Sequence, residues 1–303
     1  MRTRAGLALA FTAAVISGFA VYVNSYGVRA FGNATAYTTA KNLVAALILL
    51  AALAAASAAS TREGFTRPRS GRHWAGLAAV AVIGGSVPFV LFFQGLSMVS
   101  AASGAFTYHT LVIWVALLAV PLLRERFTGW HAAAIAALVC GQALLGGGTG
   151  TLRASEGEMM ILAATLLWAA EVIVVKRLVR DLSPLTVAGA RMGGGAALLL
   201  CWTLATHADA FAAAGWHQWL WAVATGLILA ANVGATYAAL ARIGAIDVTA
   251  IGVSGAIITA LLQGTPDWAG VALVTAGTAL ALLAMRSRPA LASLQQTSQQ
   301  TPQ

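Results

Sequence analysis

A helix that crosses the hydrocarbon core of a bilayer needs ~20 predominantly apolar residues, and the sequence meets that requirement repeatedly. Apolar runs cover 5–23, 36–56, 74–93, 103–123, 130–145, 159–175, 185–204, 220–240, 248–262 and 268–285. Lipid offers the backbone no hydrogen-bond partner, so only helices and closed β-barrels can span it. These runs are continuously apolar and rich in Ala and Leu, without the period-two alternation of barrel strands. The expected fold is all-α, a polytopic membrane protein with ten transmembrane helices. Composition excludes a water-soluble domain: only 9% of the 303 residues are charged, 59% are hydrophobic and the mean hydropathy is +0.82, whereas a soluble domain carries roughly a quarter charged residues.

The charges that remain are sorted. There are 18 Lys and Arg against 9 Asp and Glu, a net +9. Cytoplasmic loops keep the excess of basic residues. With a cytoplasmic N-terminus, 14 of the 18 fall on the inner side: Arg2, Arg4, Arg62, Arg67, Arg69, Arg72, Arg124, Arg126, Lys176, Arg177, Arg180, Arg242, Arg286 and Arg288. Only Arg29 and Arg153 fall outside, and Lys41 and Arg191 lie within spans. The split predicts a multi-pass protein of the cell membrane with both termini in the cytoplasm. It also removes nucleic acid as a partner, because the positive charge is spread over short loops facing anionic lipid headgroups. Trp74, Trp130, Trp216, Trp219, Trp221 and Trp268 sit at or near span ends, where tryptophan anchors to the interface. The first run is read as a span and not as a cleaved signal peptide, since the pairing of halves below needs it. The Gln/Ser/Thr-rich stretch 286–303 is expected to be a disordered cytosolic tail. Cys140 and Cys201 have no metal-ligand spacing and are expected to pack inside their helices.

A shift of 150 residues lays 15–50 on 165–200 without a gap and places Lys41 on Arg191. Few residues are identical, among them Ala20, Ala40, Ala46, Leu49 and Leu50, so shared hydropathy and the shared intramembrane cation carry the match. Five spans per half is an odd number, and the second half must enter the membrane inverted. Inverted five-helix repeats point to alternating access, with a binding site where the halves meet.

The residues around the fourth span, Leu96, Ala101-Ala102, Pro121 and Arg124-Glu125, with Gly141 in the fifth, resemble the drug/metabolite transporter superfamily, specifically its EamA-type members. Leu240, Ala245, the run to Leu262, and Gly270 or Gly277 are the similar positions of the second half. After the ninth span the second half offers Gln263 or Asp267 in place of a glutamate. The resemblance implies an EamA-like five-helix half over 1–146, a second over 147–285, and a carrier of small metabolites that uses neither ATP nor a bound cofactor.

An ionisable side chain inside the bilayer costs ~2.5–3.5 kcal/mol on insertion scales and is usually turned inward, paired or functional. Four qualify: Lys41, His109, Glu171 and Arg191. Glu171 and Arg191 fall at one depth in the cytoplasmic third of consecutive antiparallel helices, placed either to form a salt bridge or to snorkel separately. The first half has Val21 where the second has Glu171, so Lys41 has no acid opposite it. Lys41 and His109 share a depth in the outer third with Tyr37, Tyr108, Thr107 and Thr110. They are expected either to receive an anionic substrate group or to be structural. His109 and Glu171 are the residues best suited to carry a proton. Trp114 and Trp168 lie away from span ends and are candidates for the cavity wall. Gln142 and Asn232 are expected to bond between helices, Pro88 to kink the third span, and Gly193-Gly194-Gly195, Gly252 and Gly255 to allow close helix contact.

These readings predict a secondary active transporter, with export the expected direction and a small polar or amphipathic metabolite such as an amino acid as substrate. Small-molecule substrate and membrane lipid are the only expected partners, and neither metal nor cofactor is expected. The alternative is a non-transporting scaffold or sensor. A membrane-embedded enzyme fits less well, because the acids are scattered and neither DDxxD nor HExxH occurs.

Overall fold

A computed structural model of the chain describes residues 2–61, 63–99, 101–145, 155–264 and 266–299, with side chains followed as far as Arg286. Arg62, Arg153 and the junction of the halves lie outside the described residues, as do the side chains of Arg2, Ala101, Ala102 and Arg288 and the end of the tail.

The described chain is a bundle of α-helices: α1 (Arg2–Phe31), α2 (Ala34–Ala58), α3 (Gly71–Ile83), α4 (Val87–Met98), α5 (Ala101–His109), α6 (Leu111–Leu123) and α7 (Gly129–Leu145) in the first half. The second half holds α8 (Glu156–Leu178), α9 (Pro184–Thr206), the short α10 (Ala208–Ala212), α11 (Trp216–Leu240), α12 (Ala245–Val253), α13 (Gly255–Leu262) and α14 (Trp268–Gln299). Among the described residues nine stretches are long and apolar enough to cross a membrane. The tenth, Gly129–Leu145, has 17 residues, and at ~1.5 Å per residue it falls slightly short of the hydrocarbon core. Large apolar side chains such as Phe19, Leu47, Leu117, Leu198 and Leu227 are exposed, the inside-out distribution that lipid solvent permits. Cys140 and Cys201 are exposed as well, contrary to the packing role expected of them. The backbone of α14 stays helical beyond its apolar part, into the stretch for which the sequence suggests disorder.

Helix ends follow the local chemistry. Gly32, at φ 66°, turns the chain out of α1, and the Asn33 side chain at once accepts the Ala36 N–H to start α2. Ser155 and Glu158 cap α8 reciprocally, and Ser183 precedes Pro184 at the first turn of α9.

Three spans are broken. The third breaks between α3 and α4 at Gly84-Gly85-Ser86, just ahead of Pro88, which then sits in the first turn of α4 where its missing N–H leaves no bond unmade. The kink is therefore made by the glycines, with Pro88 starting the new segment. Ser86 Oγ donates back to the carbonyls of Ala81 and Val82, both at 3.1 Å. The Trp168 indole N–H donates to the Gly84 carbonyl at 3.2 Å. Such repair lets non-helical backbone persist at membrane depth. The fourth and ninth spans, equivalent members of the two halves, break at Thr110 and Ser254. Each hydroxyl donates to a carbonyl three residues back, Thr107 and Ile251 respectively, at 2.7 Å.

Packing runs mainly between halves and respects their equivalence. Spans two and seven meet as α2 on α9, five and ten as α7 on α14, and four and nine as α6 on α12. Span one lies on span eight as α1 on α11, and span three lies reciprocally on span six as α4 on α8. Two glycines mark a matching pair of close approaches. A Cβ on Gly85 in span three would lie 2.1 Å from the Arg191 carbonyl, and one on Gly226 in span eight 2.9 Å from the Lys41 carbonyl. The two intramembrane cations thus stand at equivalent crossings.

Candidate substrate cavity between the halves

The crossings enclose a cavity of about 220 Å³ lined from both halves. Six of the eight residues singled out from the sequence reach its wall: Lys41, Tyr108, His109, Trp168, Glu171 and Arg191.

Glu171 on α8 and Arg191 on α9 form the expected ion pair, Nε to Oε1 at 2.7 Å and Nη2 to Oε2 at 3.2 Å, with both side chains buried. Tyr237 of α11 donates its hydroxyl to Glu171 Oε1. The carboxylate is therefore met by two hydrogen-bond donors, Arg191 Nη2 and the Tyr237 hydroxyl, with Arg191 Nε in ion-pair contact beside them, the pairing a buried charge requires.

Lys41 on α2 has a different environment. It is 2% exposed, and among the described residues no carboxylate lies within ion-pair range of it. Its Nζ donates to Asn24 Oδ1 at 3.2 Å and lies 3.9 Å from the centroid of the Phe93 ring, with the Phe89 and Tyr37 rings each at 5.3 Å. Ring faces carry negative potential and attract the ammonium without neutralising it. Asn24 also accepts from the Tyr37 hydroxyl at 2.5 Å and donates to the Ala20 carbonyl at 2.6 Å, so its amide is held from both ends.

Opposite Lys41 the wall is aromatic. Phe89, Phe92 and Phe93 fall at i, i+3 and i+4 on α4, one face of a helix. Phe92, Tyr108 and Trp168 meet one another with ring centroids 5.4–5.7 Å apart. The Tyr108 hydroxyl and the His109 ring nitrogens make no hydrogen bond to any described residue.

Two expected wall residues are placed elsewhere. Tyr37 is fully buried behind the wall and touches the cavity's lining through Asn24, Lys41 and the Phe93 ring. Trp114 packs into the core of α6, its indole N–H turned back to Thr110 Oγ1 at 3.2 Å beside the helix break. Asn232 does bond between helices, donating to the Ala13 carbonyl at 2.9 Å. Asn24, Tyr237 and the three phenylalanines are the site residues that the sequence reading misses. Asn24 falls one position beyond the end assigned to the first apolar run, whereas α1 continues to Phe31. A tyrosine deep in an apolar run, whose hydroxyl needs a partner, was the available signal for Tyr237.

The end of the bundle that carries the basic loops is cross-tied. Lys176 donates to the carbonyls of Leu240 and Ile243 at 2.6 and 2.5 Å, and Arg177 to that of Leu122 at 2.7 Å. Arg124, in the left-handed conformation at φ 55°, turns the chain so that Glu125 meets the start of α12. The Glu125 carboxylate there accepts the N–H groups of Ala245 and Ile246 at 2.7 and 3.2 Å. Asp267, its sequence counterpart in the second half, caps only its own helix through the Gly270 N–H. Glu125→Ala is expected to cost about 0.5–2 kcal/mol as a lost helix cap, read as a lower melting temperature in detergent.

A polytopic helical bundle built from two equivalent halves, with a partly charged cavity between them, defines a membrane carrier. The profile of the EamA-like transporter family matches residues 4–147 and 155–283, and the chain belongs to that family. A solved crystal structure shares the fold with a TM-score of 0.73 at 17% sequence identity, covering 93% of this chain and 98% of the other. Comparison with functionally curated proteins gives no match.

Proposed function

We propose that the chain is a secondary active transporter, seated in the cytoplasmic membrane with both termini inside, that moves a small organic metabolite by alternating access. The observation that carries this reading is the placement of the cavity: its wall comes from equivalent spans of both halves, including the three broken ones, the arrangement expected of inverted-repeat carriers. Rocking one half on the other would expose the cavity to either side. The ties of Glu125 to Ala245 and Ile246 and of Arg177 to Leu122 join the halves and are the contacts that opening at the basic end has to break. The cavity's volume, about 220 Å³, suits a small organic solute.

Counterflow in proteoliposomes tests the reading. Vesicles preloaded with an unlabelled substrate should accumulate the labelled one above equilibrium, and a panel of amino acids, organic acids, sugars and nucleosides that gives no counterflow would overturn it. We further propose that transport is proton-coupled through His109. Glu171 is held by Arg191 and Tyr237, whereas the His109 imidazole lines the cavity and makes no hydrogen bond to any described residue, and histidine is a common proton carrier. His109→Gln should keep counterflow but lose acceleration by an imposed pH gradient. A variant that still responds like the parent protein removes His109 from coupling.

A further inference from the structure

We propose that the cavity selects an organic monoanion with an aromatic body and no ammonium group, its carboxylate received by Lys41. The inference rests on the transport reading and narrows it.

Charge decides the first half of the claim. Among the described residues three charged side chains face the cavity: Lys41, Glu171 and Arg191. Glu171 and Arg191 cancel each other, and Tyr237 occupies the carboxylate further. What is left is one cation, held only by a neutral amide oxygen and ring faces. A carboxylate arriving at Lys41 replaces those weaker partners with a charge-assisted bond and makes the cavity neutral. The Tyr108 hydroxyl and the His109 ring, neither hydrogen-bonded to any described residue, can supply further hydrogen bonds. An amino acid would bring an ammonium as well, and the only acid among the described residues of the wall is already committed; meeting the ammonium means taking Glu171 from Arg191 and Tyr237, which leaves a buried cation unpaired. An amine without a carboxylate would face Lys41 as a like charge.

The aromatic body follows from the remaining wall. Phe92, Tyr108 and Trp168 meet edge to face or tilted around the cavity, and the Trp168 indole N–H is already spent on Gly84. They offer a substrate ring faces and edges to stack on and no further hydrogen bond from the indole.

Three compounds built on one phenylethyl unit isolate the charge: 3-phenylpropanoate carries only the carboxylate, phenylethylamine only the ammonium, and phenylalanine both. Purified protein in detergent is titrated with each, following tryptophan fluorescence and melting temperature. The expected result is that 3-phenylpropanoate binds and raises the melting temperature, phenylalanine binds at least tenfold more weakly, and phenylethylamine does not bind. Lys41→Gln should lose 3-phenylpropanoate binding at least tenfold, while Lys41→Arg keeps most of it; the melting curve of each variant without ligand shows that it is folded. Tighter binding of phenylalanine or phenylethylamine than of 3-phenylpropanoate overturns the proposal, as does unchanged 3-phenylpropanoate binding in Lys41→Gln. If none of the three binds while another solute drives counterflow, the monoanion inference falls and the transport reading stands. If no solute drives counterflow, the transport reading itself falls.

Discussion

Reversing the charge at either member of the buried pair, with Glu171→Arg or Arg191→Glu, should abolish transport and lower stability by about 3–5 kcal/mol, the cost of an uncompensated buried charge. The exchange of both residues should regain part of the loss. The physical reason is the completeness of the pair: Arg191 meets both carboxylate oxygens of Glu171 and Tyr237 donates to one of them. A single reversal leaves two like charges facing each other where water is scarce. A double-mutant cycle on melting temperature in detergent separates coupling from independent damage. Losses that simply add would show that the two side chains do not act as a pair. Tyr237→Phe removes one charge-assisted donor and should cost less, about 1.5–3 kcal/mol.

The second large effect is expected where no polar side chain is changed. Gly85→Ala places a methyl group 2.1 Å from the Arg191 carbonyl, a distance no real Cβ tolerates. Backbone must then shift at the broken part of span three or along α9, and overpacking of this kind typically costs about 1–3 kcal/mol or more. Because Arg191 itself rides on the displaced backbone, transport should fall beyond what the melting temperature alone accounts for. Gly226→Ala at the equivalent crossing lies 2.9 Å from the Lys41 carbonyl and 2.7 Å from the Val44 side chain, and should be milder because its nearest approach is 2.7 Å instead of 2.1 Å. Thermal unfolding of the two variants, with counterflow measured in parallel, checks the ranking; equal effects would mean that the two crossings are equally compliant.

Much of this architecture was legible in the sequence because the bilayer restricts the choices. Ten apolar runs with nearly all the basic residues on alternate sides leave little freedom in fold class, and an intramembrane Glu and Arg at one depth on adjacent helices had a natural partner in each other. What escaped was set by tertiary packing. Hydropathy ended the first run at 23, but α1 continues to Phe31, because the polar Asn24 is satisfied by Tyr37, Lys41 and its own helix. Pro88 drew attention as the source of a kink that Gly84 and Gly85 make, since glycine breaks a span only when a neighbouring backbone comes close enough to need the space. Trp114 and Trp168 carry the same signal in sequence, a tryptophan in mid-span. Only the direction of each side chain from its helix separates the one turned to Thr110 from the one on the cavity wall, and hydropathy does not report direction.

The unequal furnishing of the two halves has an energetic consequence. A carrier made of identical inverted halves would have two mirror-related resting forms of equal free energy, and when empty would spend half its time facing each side. Here one crossing holds a closed ion pair and the other a cation among rings beside Asn24. Exchanging the roles of the halves therefore does not return the molecule to an equivalent state. Nothing in the fold makes the populations of the empty carrier equal, so half-saturation measured from the two sides of the membrane can differ even though the thermodynamic driving force has no preferred direction.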